Sequence, residues 1–141
     1  MPIKHKIILT YTKDLSVEIP DAQTLLLARE RISKYKLNLD ISSKIVKDKM
    51  IEVFTKLIYT DVEQSKQKAY FELLHSTVVE IEDTNVKKNE MEKFILCDLQ
   101  VEVFPKIREA FVQILRHSGF PEANFSGEID FLKLYQQRSN Q

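Results

Sequence analysis

The first half of the chain has the hydrophobic pattern of β-strands. Residues 35–41 alternate strictly, with Tyr35, Leu37 and Leu39 facing one way and polar residues facing the other. This alternation is typical of a half-buried strand, because successive side chains of a strand point to opposite sides. Three further segments rich in β-branched and aromatic residues predict strands at residues 3–12, 50–60 and 68–81.

The second half follows a helical period instead. Apolar residues recur every three or four positions from Met91 to Leu115, which indicates an amphipathic helix. Pro105 must either kink this helix or occupy the first turn of a new one. Gly119 in a left-handed conformation, followed by Pro121, predicts that the helix ends at residues 117–119.

Two shorter helices complete the predicted elements. The first lies within residues 16–33, with Asp21 as its N-cap. The second follows residue 128, and its apolar face is carried either by Ile129, Leu132 and Tyr135 or by Phe131 and Leu134. No internal repeat or low-complexity tract interrupts the chain, so we expect residues 1–141 to form one domain.

Strands followed by helices predict an α+β fold, an antiparallel sheet with its helices on one side. The segment 50–60 is apolar on both faces. One layer of helices can cover only one of these faces. Two protomers packing together would cover part of the other.

The charge balance excludes some partners. The chain has 21 basic and 21 acidic residues, so no basic excess attracts nucleic acid or an anionic membrane. It contains no signal-peptide core and no membrane-spanning stretch, and we expect no membrane insertion. Cys97 is the only cysteine, which excludes an internal disulfide and suits a reducing compartment such as the cytoplasm.

No catalytic, metal or cofactor site can be assembled from the sequence. Both glycines fall after residue 118, so phosphate-binding loops and nucleophile elbows are absent. The three histidines lie far apart along the chain, unlike zinc ligands. Cys97 precedes an acid, Asp98, and is typical of a small core residue rather than a reactive thiolate. An enzyme is therefore the least favoured class, and no cofactor is predicted.

Two segments resemble the SecB family of bacterial protein-export chaperones. Residues 11–22, YTKDLSVEIPDA, are similar to the opening motif Y-x-K-D-[IL]-S-[FL]-E-x-P-x-A of that family. Residues 104–109, FPKIRE, then 119–121, GFP, and 129–132, IDFL, resemble its C-terminal half in the right order. The middle of the chain is similar only in pattern.

The resemblance implies a four-stranded antiparallel sheet with a crossover connection, one long and one short helix, and a homotetramer built as a dimer of dimers. It implies an ATP-independent holdase that binds unfolded preproteins in apolar grooves and delivers them to the SecA motor ATPase. Such a groove captures apolar side chains without sequence specificity, and several weak contacts must act together.

The resemblance also implies two sets of site residues. Those of the motor-docking face are Asp14, Glu18, Tyr70 and Glu72, with Tyr70 at a position that is usually aliphatic. Asp14 and Glu18 could instead cap a turn after the first strand. Those of the client groove are Tyr35, Leu37, Leu39, Ile129, Leu132 and Tyr135, for which plain core packing is the alternative.

The chain departs from the family pattern in charge. Export members of the family are acidic and carry an acidic tail, whereas this chain is neutral. It also has Ser76-Thr77 where the family usually has a pair of glycines. These changes weaken the expected attraction to the motor. The alternative within the family is an adaptor or chaperone dedicated to one partner, such as an antitoxin, without a general export function.

Overall fold

The computed structural model describes residues 3–125 and 129–139, and its centre is a four-stranded sheet. The strands are β1 (His5–Glu18), β2 (Tyr35–Lys47), β3 (Met50–Asp61) and β4 (Tyr70–Ile81). Their order is β1-β4-β3-β2, and all neighbours are antiparallel. Because β1 and β2 lie at opposite edges, the connection between them crosses the sheet. The predicted sheet with a crossover connection is confirmed.

Both edge strands run further than the sequence pattern indicated. β1 continues to Glu18, so Asp14 and Glu18 lie within the strand and the alternative of a turn is wrong. Its register shifts near Ile7 and near Thr12, and such bulges interrupt the alternation that marks a strand. β2 continues to Lys47 with every residue after Ile41 exposed. The polar run 42–44 and the adjacent apolar residues Ile45 and Val46 break the alternation at this end.

The helices agree with the predictions. They are α1 (Ala22–Glu30), α2 (Lys88–Lys93), α3 (Leu99–His117) and α4 (Phe131–Ser139). The Asp21 carboxylate caps α1 by accepting a 2.8 Å hydrogen bond from the Thr24 amide. A π-helical turn over Phe94–Asp98 joins α2 to α3. Pro105 lies inside α3, so it does not begin a new helix.

Gly119 ends α3 as predicted. Its φ of +102° lies in the region that favours glycine, and a Cβ atom there would come within 2.8 Å of Leu25 Cδ2 on α1. The Phe120 amide donates to the Leu115 carbonyl at 3.0 Å and satisfies the last turn. The glycine therefore serves both the helix end and the close approach of α1.

The helices cover one face of the sheet and leave the other open. The covered face presents fully buried side chains, including Val53, Leu57, Phe71 and Val79, which pack with Leu99, Ile107, Phe111 and Leu115 of α3. Each such side chain contributes about 1.5–3 kcal/mol to folding. The open face carries the alternate residues of the same strands, among them Met50, Phe54, Ile58 and Leu74.

Candidate peptide-binding site

An apolar groove runs between β2 and α4. Leu37, Leu39, Ile129 and Tyr135, four of the six predicted groove residues, line one cavity of about 440 Å³. A second cavity of about 390 Å³ continues it along β2. Both cavities are lined by Ile41, Leu96 and Tyr135. We call this pair of cavities the β2 groove.

The position of β2 at the edge of the sheet explains why the groove exists. Leu37 and Leu39 point to the covered side, opposite Tyr59 and Leu57 of β3, yet both remain half-buried. Opposite them, α4 is anchored by Phe131, whose ring packs edge-on against Phe104 with centroids 5.3 Å apart. The apolar side chains between the strand and the helix therefore stay accessible.

The other two predicted groove residues lie elsewhere. Leu132 is exposed and lines a separate cavity of about 590 Å³ beside Phe104 and Cys97. Tyr35 is buried, and its hydroxyl accepts a 2.8 Å hydrogen bond from the Ala69 amide. Tyr35 therefore belongs to the core that underlies the site and does not line the β2 groove.

An aromatic cavity that the sequence reasoning missed adjoins the β2 groove. It measures about 360 Å³, and Tyr59, Phe120 and Phe125 form its aromatic wall. The ring centroid of Tyr59 lies 5.3 Å from that of Phe125 and 6.4 Å from that of Phe120. Burial raises the pKa of Tyr59, which keeps its hydroxyl neutral. Tyr59 also pairs with Leu37, so the two cavities are neighbours. The sequence signal that could have indicated this cavity was Phe120, the aromatic residue directly after Gly119.

An ion pair between half-buried Arg31 and buried Asp61 holds the crossover connection against this cavity. Arg31 Nε donates a hydrogen bond to Asp61 Oδ2 at 2.7 Å. The Asp61 carboxylate also accepts hydrogen bonds from the backbone amides of Glu63 and Gln64. The Arg31 hydrogen bond is the main reason that the pKa of Asp61 lies below its usual range. Ile32, the residue after Arg31, lines the aromatic cavity. The pair therefore fixes one wall of the site.

The four predicted docking residues meet on the open face. Glu18 lies beside Tyr70 across the β1–β4 pair, and Asp14 lies beside Leu74. The Tyr70 hydroxyl donates to Glu72 Oε1 at 2.6 Å. This hydrogen bond, with burial and the charges of Glu72 and Glu18, raises the pKa of Tyr70 to about 12. We call Asp14, Glu18, Tyr70 and Glu72 the acid cluster.

A second network occupies the middle of the open face. The buried carboxylate of Glu52 accepts hydrogen bonds from the Tyr11 hydroxyl and from Ser76 Oγ. These two bonds, with Lys44 and Lys13 nearby, lower the pKa of Glu52. Tyr11 belongs to the opening motif, and Ser76 replaces a usual glycine, so both sequence features have a structural role here.

The groups considered for catalysis stay apart. Within residues 3–125 and 129–139, no three His, Cys, Asp or Glu side chains converge to hold a metal. His5 contacts Glu102 at 3.0 Å, while Cys97 is buried in the π-helical turn, and burial raises the pKa of its thiol. No helix in the described residues is long and apolar enough to cross a membrane.

Comparison with known proteins gives the family. The profile described as preprotein translocase subunit SecB matches residues 2–141. The chain belongs to the SecB family of protein-export chaperones. A candidate protein-export protein SecB from Pelagibacter ubique is 43% identical over 140 residues, covering 99% of this chain and 100% of the relative. The protein-export protein SecB of Rhodopseudomonas palustris strain BisB18 is 29% identical, covering 90% and 76%.

Two solved structures share the fold of this chain, and one of them is a SecB-like chaperone. The Rv1957 SecB-like chaperone of Mycobacterium tuberculosis, solved with a ChAD peptide from the HigA1 antitoxin, superimposes with a TM-score of 0.60 at 10% identity. The match covers 88% of this chain and 90% of the other. A Streptococcus agalactiae protein of unknown function gives a TM-score of 0.51 at 9% identity, covering 92% and 100%. The SecB-like fold class predicted from the sequence is confirmed.

Proposed function

We propose that residues 1–141 form one chaperone domain that acts as an ATP-independent holdase in the cytoplasm, binding unfolded preproteins rather than catalysing a reaction. The observation that carries this proposal is the β2 groove with its adjoining aromatic cavity. Half-buried aliphatic and aromatic side chains line these cavities beside an edge strand. Unfolded chains expose the apolar side chains that such a site accepts.

The outer edge of β2 supplies the second part of the binding mode. Among the described residues, β2 pairs only with β3, which leaves its outer backbone groups available to an extended segment. A client strand added there would form backbone hydrogen bonds and direct alternate side chains into the β2 groove. Backbone recognition of this kind is independent of client sequence, as a holdase requires.

Assembly into a homotetramer, as a dimer of dimers, belongs to the same proposal. β1 lies at the other edge of the sheet, and no strand within residues 3–125 and 129–139 pairs with its outer side. Its exposed apolar side chains are Ile8, Leu9, Tyr11, Leu15 and Val17. An apolar edge strand of this kind invites pairing with another copy. Several grooves on one assembly would then hold one client through many weak contacts.

The holdase proposal is tested with the double variant Leu37→Ser and Leu39→Ser. The parent should suppress aggregation of an unrelated, chemically unfolded protein at stoichiometric ratio without nucleotide, and the double variant should suppress it several-fold less. Leu26→Ser removes an exposed leucine from α1, outside the groove, and serves as the matched control. Parent protein that fails with several clients would contradict the proposal. Unfolding of the double variant would assign both leucines to the core instead.

Delivery to SecA rests on the acid cluster. Its carboxylates suit a basic segment of the motor, and such a contact is screened by salt. Substituting Asp14, Glu18 and Glu72 with Lys should reduce SecA affinity, and the parent affinity should fall steeply with ionic strength. The same three-lysine change at the exposed residues Glu30, Glu82 and Glu109, outside the open-face clusters and the cavities, is the control. Unchanged SecA affinity in the acid-cluster variant would rule out docking through this cluster.

A chaperone or adaptor dedicated to one partner is the alternative proposal. Two observations favour it: the neutral charge of the chain, and the fold shared with a SecB-like chaperone that was solved with an antitoxin peptide. A dedicated protein would hold one partner tightly and leave unrelated unfolded clients to precipitate. The aggregation assay described above therefore separates the two proposals.

A further inference from the structure

The open face has opposite charges on its two halves. The acid cluster lies on β1 and β4, whereas Lys36 and Lys44 of β2 and Lys56 of β3 project from the other half. Lys13, at a bulge of β1, also reaches toward this half. We call Lys13, Lys36, Lys44 and Lys56 the lysine patch.

Phe54 lies beneath two lysines of the lysine patch. The Lys13 ammonium lies 5.0 Å from the centroid of its ring and the Lys44 ammonium 5.8 Å away. Attraction between an ammonium group and the face of an aromatic ring holds both side chains over the half-buried Phe54. In the described part of the chain, Lys13 Nζ has no carboxylate within 4.0 Å.

The acidic groups inside the patch leave it positively charged. Glu52 is buried beneath Lys44, at 3.7 Å from its ammonium, and two hydroxyl groups already bind that carboxylate. Asp40 lies opposite Lys56 across the β2–β3 pair. On this half of the face, four lysines therefore lie with two carboxylates, one of which is internally bound, and Asp14 of the acid cluster borders the patch beside Lys13. A partner carboxylate would meet a net positive surface.

We propose that the lysine patch around Phe54 docks an extended acidic peptide segment that also carries an aromatic or aliphatic side chain. The charge of the patch selects carboxylates, and the partly accessible ring of Phe54 accepts the apolar residue. Side chains of an extended peptide repeat about every 6.8 Å on one face, which matches the rows of side chains along a strand. This inference is independent of SecA docking, because it concerns the other half of the face and the opposite charge.

The test measures the binding of a labelled peptide to the full-length protein by fluorescence anisotropy. The probe is a dodecapeptide of alternating Glu and Ser with one central Phe, compared with the same peptide carrying Gln in place of Glu. The acidic peptide should bind several-fold more tightly than its Gln analogue. Raising the salt from about 50 to 300 mM should remove most of this difference, because exposed charges are then screened.

Matched double variants locate the site. Lys13→Gln with Lys44→Gln should weaken binding of the acidic peptide about three- to ten-fold, as expected for two exposed charge pairs. Lys66→Gln with Lys106→Gln changes the net charge equally at exposed positions outside the patch and should leave binding unchanged. Equal binding of both peptides, or equal weakening by both double variants, would overturn the proposal. Amide shifts in the parent protein on peptide addition should centre on Phe54, and shifts centred on the acid cluster would also overturn it.

Discussion

The two faces of the sheet are built from the same strands but have different physical roles. On β3, Val53 and Leu57 point to the covered face and are fully buried, whereas Phe54 and Ile58 point to the open face and are only half-buried. All four are apolar, so hydrophobicity does not distinguish them. The helices cover only one side, and the apolar residues on the other side remain available for partners.

Polar groups also differ between the two faces. On the covered face, Gln100 of α3 accepts a hydrogen bond from the Thr55 hydroxyl at 3.2 Å. Within the part of the chain that the structure describes, the buried Thr77 hydroxyl has no hydrogen-bond partner. On the open face, the Glu52 carboxylate accepts hydrogen bonds from the hydroxyl groups of Tyr11 on β1 and Ser76 on β4. The buried hydroxyls of the covered face therefore meet a neutral amide or no described partner, whereas those of the open face bind a carboxylate.

Phenylalanine truncation should give the largest contrast between the faces. Phe71→Ala opens a cavity in the covered face and should lower the free energy of unfolding by about 3–5 kcal/mol. Phe54→Ala on the open face leaves a site that solvent can fill and should cost about 1 kcal/mol or less. Urea unfolding of both variants measures the difference. Equal losses would mean that the open face is covered in solution, as by another copy.

Two neighbouring hydroxyls should give effects of opposite sign. Ser76→Ala removes a donor from the buried Glu52 carboxylate and should destabilise the protein by about 1–3 kcal/mol. Thr77→Val removes a buried hydroxyl without a described partner and should be neutral or stabilising by about 1 kcal/mol. Urea unfolding of the two single variants tests this. A destabilised Thr77→Val would show that its hydroxyl gains a partner in solution.

The loss of stability at low pH should be the smallest of these effects, and carboxylates on both faces of the sheet should contribute to it. The pKa values of Glu52 and Asp61 are both lowered by hydrogen bonds in the folded state. Each carboxylate therefore contributes stability above its ordinary pKa of about 4, and this contribution is lost as the pH falls through the lowered value.

Urea unfolding between about pH 3 and pH 6 measures this contribution. Glu52→Gln and Asp61→Asn should each flatten the decline of stability on the acid side. Asp48→Asn, at an exposed position in the turn between β2 and β3, should keep the parent slope. If the stability of both test variants fell with pH as steeply as that of the parent protein, these hydrogen bonds would not persist in solution.

The strands and helices were largely predictable because each has a periodic pattern or a cap. Asp21 and Gly119 mark helix ends through side-chain and backbone chemistry that the sequence displays. The ends of β1 and β2 were not predictable. A bulge in one strand and an exposed edge in the other remove the alternation on which the prediction relies.

The candidate groove was predictable only in part. Leu37 and Leu39 carry a strand pattern, and Tyr135 a helical one, but no pattern states that these two elements face each other. Phe120 and Phe125 follow α3 in a segment without periodicity, so nothing local linked them to Tyr59. Their assembly depends on where the chain returns to the sheet after α3.

The sequence by itself determined the element order, the helix ends and the family likeness, because propensities, caps and motifs are local properties. Only the tertiary structure decided which side of β3 is buried, since both sides are apolar. It also decided that Tyr11, Ser76 and Glu52 meet, because their contact depends on strand order and register. Packing of distant segments chooses between surfaces that local hydrophobicity leaves equivalent.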